Sequence, residues 1–173
     1  MSILKIAKLG HPVLIKKAEE IKEFSTDILK KTIVDMLETM IDYNGIGLAA
    51  PQVHISKRII IFRKLDPANK KEIEFTHLIN PYFQAMGDET EDDWEGCLSI
   101  PGMQGSVRRF KKIKYGGFNI EGKKIVDEAD GMQARVIQHE IDHLEGILYI
   151  YKLANKNKFG FEKEITEYIK NEK

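Results

Sequence analysis

The sequence predicts a single α+β domain over residues 1–173. Two long stretches with helical spacing of apolar residues support this prediction, and the segment between them is rich in β-branched residues. A chain of 173 residues with 42% hydrophobic content also matches the size and composition of one globular core. We therefore expect helices packed on a mostly β middle, with one further helix near the end.

The first helix is expected at about 26–43, where apolar residues recur three and four positions apart. Ser25 or Thr26 can cap its start, and Asn44 with Gly45 supplies a stop. We expect the resulting apolar stripe to face the core. It comprises Ile28, Leu29, Ile33, Met36, Leu37, Met40 and Ile41.

The middle of the chain is expected to form strands at about 57–63, 75–80 and 113–120, because these runs are rich in β-branched and aromatic residues. The third run contains Gly116 and Gly117, which predict a bulge or a turn. A glycine-spaced stretch, GIGLAAPQ, joins the first helix to the first of these strands.

The second helix is expected from Asp130, as N-cap, to Leu144, with Gly146 ending it. Its apolar stripe comprises Met132, Val136, Ile137, Ile141 and Leu144. A C-terminal helix is expected at about 157–170 and should dock through one face. The apolar residues at helical spacing there are Phe161, Ile165, Tyr168 and Ile169.

Charge and cysteine content argue against several classes of protein. The 27 Lys and Arg residues balance the 27 Asp and Glu residues, so bulk charge favours neither nucleic acid nor an anionic membrane. A single cysteine, Cys97, rules out an internal disulfide and is typical of a reducing compartment, so we expect a cytoplasmic protein. No apolar run approaches the roughly 20 residues of a membrane span.

The segment HEIDH at 139–143 carries the strongest chemical signal. His139 and His143 stand four residues apart on the second predicted helix, so both imidazoles lie on one face and can bind one metal ion. Glu140 can take a proton from a water that the ion activates. The alternative is a helix whose histidines bind nothing or hydrogen-bond to backbone carbonyls. The pattern predicts a metal-dependent hydrolase.

The third protein ligand stays open when the residues alone are considered. The extended pattern HExxHxxGxxH fails, because Tyr149 stands where a third histidine belongs. Glu162, Glu164 and Glu167 are candidates, although they fall on an ordinary charged helix face. Cys97 is the better candidate because it is the only thiol and follows a glycine, yet a lone cysteine is more often a small buried hydrophobe.

Three segments in this order, GIGLAAPQ at 45–52, EGCLSIPG at 95–102 and QHEIDHLEG at 138–146, resemble the three signature motifs of peptide deformylases. The resemblance continues outside the motifs, for example through INP at 79–81 and ADG at 129–131. It implies a domain in which antiparallel sheets surround a central HExxH helix, with an N-terminal and a C-terminal helix.

Carried over residue by residue, the resemblance assigns the metal ligands to Cys97, His139 and His143. It assigns the general acid/base to Glu140. Gln52 and the backbone N–H of Leu98 match the donors that stabilise a developing oxyanion. The positions that match substrate-binding residues are Gly45, Ile46, Gly47 and Glu95.

The implied reaction removes the formyl group from the N-terminal formyl-methionine of nascent polypeptides and releases formate. The implied cofactor is one divalent metal ion, Fe(2+), with Zn(2+), Ni(2+) or Co(2+) as substitutes. A thiolate with two imidazoles is a softer ligand set than many zinc hydrolases use. The ribosome near its exit tunnel is an implied partner, whereas neither nucleic-acid specificity nor a membrane is expected.

Two positions depart from the pattern of the family. Gln104 stands where many relatives carry arginine, and Tyr151 stands where an acidic residue is common. Neither is an implied metal ligand or acid/base, so these departures bear on efficiency and substrate preference. Two other functions stay open: a general HExxH metallopeptidase with a histidine or glutamate as third ligand, and a deformylase-like protein that binds formyl peptides without turnover.

Overall fold

The computed structural model describes residues 2–65 and 72–171 of the chain. In chain order the helices and strands are α1 (Asp27–Asp42), β1 (Gly47–Ala49), β2 (Ile59–Leu65), β3 (Glu72–Ala85), β4 (Thr90–Cys97), β5 (Ile100–Phe110), β6 (Lys112–Phe118), β7 (Lys124–Asp130), α2 (Gly131–Leu144), β8 (Phe159–Phe161) and α3 (Glu162–Asn171). Short 3-10 turns lie at Pro12–Ile15, Ala50–Val53 and Tyr149–Lys152.

The described strands form two antiparallel sheets. One sheet has the order β1-β2-β3-β6-β7 and the other has the order β4-β5-β8, so β1 and β4 each lie at a sheet edge. Helix α2, which carries the HEIDH segment, contacts strands of both sheets, among them β1, β2 and β5. The predicted α+β class, with antiparallel sheets and a central helix, is confirmed.

Strand β2 is buried on both faces, which explains why its sequence is a continuous apolar run rather than an alternating one. Ile60 and Phe62 pack in a cluster with Ile137 and other residues of α2. Ile59 and Ile61 belong to a second cluster, which includes the buried face of α1. Because successive side chains of a strand point to opposite sides, α1 and α2 lie on opposite faces of the five-stranded sheet.

The predicted ends of the first two helices agree with the structure within a residue or two. Thr26 is the N-cap of α1, and its side chain accepts a hydrogen bond from the backbone N of Leu29 at 3.2 Å. Asn44, not Gly45, adopts the left-handed conformation after the helix, with φ 53°. Asp130 is the N-cap of α2, although its side chain forms no capping hydrogen bond.

Four apolar residues that were expected on core-facing stripes are exposed instead. They are Ile28 at 81%, Ile41 at 43%, Met132 at 46% and Phe161 at 64% exposure. Ile28, Ile41 and Met132 are exposed because each helix buries a narrower face than the spacing predicts, since the sheet beneath it covers one side only. Phe161 lies in β8 rather than on a helix. Ile165 is buried as expected. The side chains of Tyr168 and Ile169 lie outside the described part of the chain.

Strands β2, β3 and β6 occupy the predicted regions, and β3 is longer than expected. Gly116 and Gly117 do not break β6; the register shift lies opposite them in β3, between Ile79 and Tyr82. A Cβ at Gly116 would lie 2.6 Å from the hydroxyl of Tyr82 and 2.8 Å from the backbone oxygen of Ile125. Glycine is therefore needed at this position, because a side chain there would meet the backbone oxygen of Ile125 as well as the ring of Tyr82.

The C-terminal helix starts later than predicted. Helix α3 begins at Glu162 rather than at about 157, and Phe159–Phe161 forms β8, which pairs with residues 103–105 of β5. The edge of β5 offers backbone hydrogen bonds to this segment, so sheet pairing prevails over its local helical spacing. Strands β1, β4, β5 and β7 were not predicted, since few of their residues alternate clearly between apolar and polar.

Among the helices that the structure describes, none combines the length and the apolar character that crossing a membrane requires.

The stop after α2 provides a test of packing in this fold. Gly146 has φ +72°, and an added Cβ would lie 2.7 Å from the backbone carbon of Ile15, whereas Gly131 has φ +51° with open space around it. Gly146→Ala is expected to lower the free energy of unfolding by about 2–4 kcal/mol, because backbone strain and crowding add. Gly131→Ala should cost about 1–2 kcal/mol from strain alone. Urea unfolding midpoints measure both; equal losses would contradict the crowding against Ile15.

Candidate metal centre

Two histidines of helix α2 and a cysteine from the end of β4 lie close together. The spacing of His139 and His143 puts their rings one turn apart, with centroids separated by 4.9 Å, and both side chains are buried. Cys97 at the end of β4 lies against them, with Sγ 3.3 Å from Nε2 of His143. The three candidate ligand atoms all lie within 4.8 Å of one another.

The donor chemistry of this trio fits a divalent transition-metal ion, because two imidazole nitrogens and a thiolate leave room for a fourth ligand. Among the residues that the structure describes, this trio is the one cluster of His, Cys, Asp or Glu side chains with three ligand atoms close enough together to hold an ion. Tyr149 stacks against His139 with centroids 6.1 Å apart. Glu162, Glu164 and Glu167 are exposed on α3, and although Glu162 lines the cavity beside the trio, none of the three belongs to the group of candidate ligands. Geometry therefore favours Cys97 over the downstream glutamates.

Electrostatics around Cys97 favour the thiolate that a metal ligand requires. Burial alone would raise the pKa of the Cys97 thiol. The charge of His143 and hydrogen bonds from both histidines lower that pKa well below its ordinary value. Burial likewise opposes protonation of His139, but its contacts with Cys97 and Glu95 raise its pKa. The thiolate of Cys97 and the protonated form of His139 therefore stabilise each other.

Glu140 is buried beside the trio, and its Oε2 has no hydrogen-bond partner among the residues described. Leaving a buried carboxylate oxygen unsatisfied is costly, so this atom is suited to a water or a substrate group. Burial raises the pKa of Glu140 to about 7, with the charges of Cys97 and Glu95 acting in the same direction against the two histidines. Such a carboxyl can accept and donate a proton near neutral pH.

Gly47 makes space for the carboxylate of Glu140. A Cβ at Gly47 would lie 2.8 Å from the carboxyl carbon of Glu140 and 2.9 Å from its Cγ. Any other residue at this position would displace the glutamate. The GIGLAAPQ segment therefore contributes its backbone to the site and, by having no side chain at Gly47, leaves room for Glu140.

Gln52 and Leu98 both lie next to the ligand atoms. The Oε1 of Gln52 accepts a hydrogen bond from the backbone N of Ala49 at 2.8 Å, which leaves its amide NH₂ pointing into the site. That Nε2 lies 3.3 Å from Sγ of Cys97 and 3.4 Å from Oγ of Ser99. Leu98 follows Cys97 directly in the two-residue connection between β4 and β5.

The carboxylate of Glu95 faces protein groups, although the residue lines the cavity. Oε2 lies 2.9 Å from Nδ1 of His139, and both oxygens accept hydrogen bonds from Arg109 at 2.9 Å. Burial would raise the pKa of Glu95, but the hydrogen bonds of Arg109 and His139 lower it below its ordinary range. An ionised carboxylate only accepts, so His139 carries its proton on Nδ1 and leaves Nε2 for an ion.

The sequence did not predict the charged residues that form hydrogen bonds around Glu95. Arg135 of α2 donates to Oε1 of Glu95 at 2.8 Å, and Arg109 of β5 also donates to Asp142. Lys152 donates to the other oxygen of Asp142 at 2.8 Å. The available signal was weak: Arg135 and Asp142 are charged residues next to the apolar stripe of a predicted helix.

A cavity of about 540 Å³ opens beside the trio, between residues 45–47, the end of β4 and helix α2. Ile46 and Met132, about half exposed, give it apolar surface. Gln104 lies on its wall. Tyr151, 62% exposed, lies in a 3-10 turn and is absent from the described lining.

Comparison with known proteins agrees with this geometry. A family model described as polypeptide deformylase matches residues 3–159. The chain belongs to the peptide deformylase family. Members of this family are metal-dependent hydrolases, which agrees with the possible metal site at Cys97, His139 and His143.

Several relatives cover nearly the whole chain. Peptide deformylase 1 of Bordetella pertussis is 42% identical over 159 residues, covering 90% of each chain. The peptide deformylase of Carboxydothermus hydrogenoformans is 45% identical over 155 residues, covering 90% of this chain and 96% of that one. Among solved structures, a class I type b peptide deformylase from Acinetobacter baumannii has a TM-score of 0.83 at 35% identity, covering 88% of this chain and 100% of that one. That of Thermotoga maritima has a TM-score of 0.81 at 41% identity, with coverages of 90% and 100%.

Replacing the thiol tests the ligand set. Cys97→Ser is expected to abolish stoichiometric binding of a divalent metal ion without unfolding the chain, because a serine hydroxyl does not ionise near neutral pH. Metal content per chain after dialysis is the measurement, with circular dichroism to check the fold. Ser99→Ala, two residues away, is the matched control and should retain its metal. Full metal content in Cys97→Ser would instead indicate a histidine or glutamate as third ligand.

Proposed function

We propose that this chain, acting as one catalytic domain, removes the formyl group from the N-terminal formyl-methionine of nascent polypeptides and releases formate. The observation that carries the proposal is the trio of Cys97, His139 and His143 with the unpartnered carboxylate of Glu140 beside it at the wall of an open cavity. Membership of the peptide deformylase family supports the same reaction.

An extended peptide fits the opening between two sheet edges. Strands β1 and β4 each have one neighbour, and residues 45–47 and 95–98 next to their free edges line the cavity. A peptide can add to such edges as a further strand through its backbone. We propose that Gly45 and Gly47 contact the substrate backbone, and that Ile46, with Met132, receives the methionine side chain.

Glu140 is proposed as the general acid/base. A divalent ion held by the trio would supply Lewis-acid polarisation and lower the pKa of a water molecule. Glu140 would accept the proton of the attacking water and deliver it to the leaving amide nitrogen. Its burial and the close approach of Gly47 restrict where its carboxylate can lie. In contrast, Glu95 acts through His139 rather than on the substrate.

Two N–H donors are proposed to stabilise the charge that develops on the formyl oxygen. The amide of Gln52 is oriented by Ala49, and the backbone N–H of Leu98 follows the cysteine ligand. Donors aimed at a developing oxyanion contribute about 3 kcal/mol each. Gln52 lies in the 3-10 turn after β1, and Leu98 lies in the connection between β4 and β5. The orientation of both donors therefore depends on the contacts that hold these two short segments in place.

Glu140→Gln is expected to lower kcat for formate release from a formyl-Met peptide by about 10²–10⁴-fold, with metal content unchanged, because the proton transfer is lost while the shape is kept. Glu164→Gln, on the exposed face of α3, is the matched control and should retain wild-type kcat. Full activity of Glu140→Gln, or absence of formate from the metal-loaded wild type, contradicts the proposal.

The same assay separates the two other functions that the sequence left open. Cleavage of internal bonds in unformylated peptides would indicate a general metallopeptidase. Saturable binding of a formyl-Met peptide without formate release would indicate a binding protein, for which Gln104 on the cavity wall is the motivating observation.

We propose ferrous iron as the physiological metal, as the resemblance to peptide deformylases implies. A thiolate with two imidazoles is a comparatively soft ligand set that does not require zinc. Protein purified without oxygen is expected to contain about one iron per chain, and its activity should decay in air as Fe(2+) or Cys97 is oxidised. Chains reconstituted with Ni(2+), Co(2+) or Zn(2+) provide the comparison. Zinc in the anaerobic protein, with activity that is stable in air, would contradict the proposal.

The chemistry of the substrate suggests where the protein acts. Formylated N termini belong to nascent chains, so we propose that it works in the cytoplasm near the exit tunnel of the ribosome. If the protein acts near the exit tunnel, it is expected to cosediment with ribosomes.

A further inference from the structure

A short N-terminal segment bridges the two connections that carry the proposed oxyanion donors. Residues 7–9, called the strap below, run between them. The backbone N of Ala7 donates to the backbone oxygen of Gln52 at 2.7 Å, and the backbone N of Leu9 donates to the backbone oxygen of Ser99 at 2.9 Å. The strap therefore links the 3-10 turn after β1 to the connection between β4 and β5.

The side chain at the centre of the strap reaches the residue whose N–H is the second donor. Nζ of Lys8 donates to the backbone oxygen of Leu98 at 2.8 Å, across 90 positions of sequence. The ammonium also lies 5.9 Å from the ring centroid of Tyr43, at the end of α1. Lys8 is exposed and lines the cavity, so its stem contributes little to the core.

The Leu98 connection needs support from outside its own sheet. Cys97 pairs with Ile100, whereas the preceding residue Gly96 pairs with Gln104, so the ladder shifts register here. Carbonyl groups at such a bulge are not held by regular ladder bonds. The carbonyl oxygens of Leu98 and Ser99 instead accept hydrogen bonds from the strap.

We propose that Lys8 is a positioning residue: by holding the carbonyl of Leu98 it fixes the peptide plane that follows Leu98, and it thereby restricts the orientation of the Leu98 N–H, which lies in the preceding peptide plane beside the metal ligands. The inference rests on the proposed function, because it takes the Leu98 N–H as an oxyanion donor. A charged donor forms a stronger hydrogen bond to a carbonyl than a neutral one. Since a donor must meet the oxygen in the transition state within narrow limits, loosening its support reduces turnover more than binding.

Three variants test the role of Lys8 in the metal-loaded chain. Lys8→Met keeps the apolar stem and removes the donor, and it is expected to lower kcat for formate release about tenfold with KM changed less than about twofold. Lys8→Arg restores a charged donor and should recover most of the lost kcat. Lys5→Met, an exposed lysine three positions earlier, is the matched control with wild-type kcat. Thermal unfolding and metal content are measured for all variants and are expected to be unchanged.

The outcomes separate this inference from the proposed function. If the wild type releases formate but Lys8→Met matches it, Lys8 has no positioning role. A rise in KM at constant kcat would show that Lys8 contacts substrate, and the inference would again be wrong. An equal loss in Lys5→Met, or a lowered melting temperature, would indicate a general effect on stability. If the wild type releases no formate, the proposed function fails first.

Discussion

The rest of the site depends on the hydrogen bonds and ion pairs of the buried carboxylate of Glu95. It belongs to β4, yet it binds His139 and Arg135 of α2, and Arg109 of β5 holds it from the other side. Breaking a buried ion pair costs about 3–5 kcal/mol, although the intact pair adds little net stability. The cluster therefore acts as a geometric constraint: it sets the distance from α2 to the strand that ends, two residues later, in Cys97.

The site lies between elements that are held in place by different interactions. Helix α2 is placed by apolar packing on β2, which is buried on both faces, whereas β4 is placed against α2 mainly by charge. Gly47 then allows β1 to approach Glu140 closely. Because β1 and β4 are both sheet edges, the same arrangement leaves an open slot beside the ligands.

Charge balance explains how so many ionisable groups are tolerated in one buried region. The carboxylates of Glu95 and Asp142 are matched by Arg109 and Arg135, and the Cys97 thiolate is matched by the histidines. Two buried atoms of the site are exceptions: one carboxylate oxygen of Glu140 and Nδ1 of His143 have no hydrogen-bond partner in the described structure. An unsatisfied group is destabilising for folding, so its retention at this position agrees with a role in chemistry.

By itself, the sequence determined the features that depend on neighbours a few residues apart. The caps and spacing of α1 and α2, the pairing of His139 with His143 on one face, and the apolar run of β2 follow from local periodicity. Cys97 was the favoured third ligand from the sequence motifs, and the structure places it against the histidines. Tertiary structure alone decided that the carboxylate of Glu95 binds His139 and that 159–161 joins a sheet. These contacts join residues some forty or more positions apart, such as Glu95 and His139 at a separation of 44, and no local pattern encodes which distant partner a charge or a strand edge will meet.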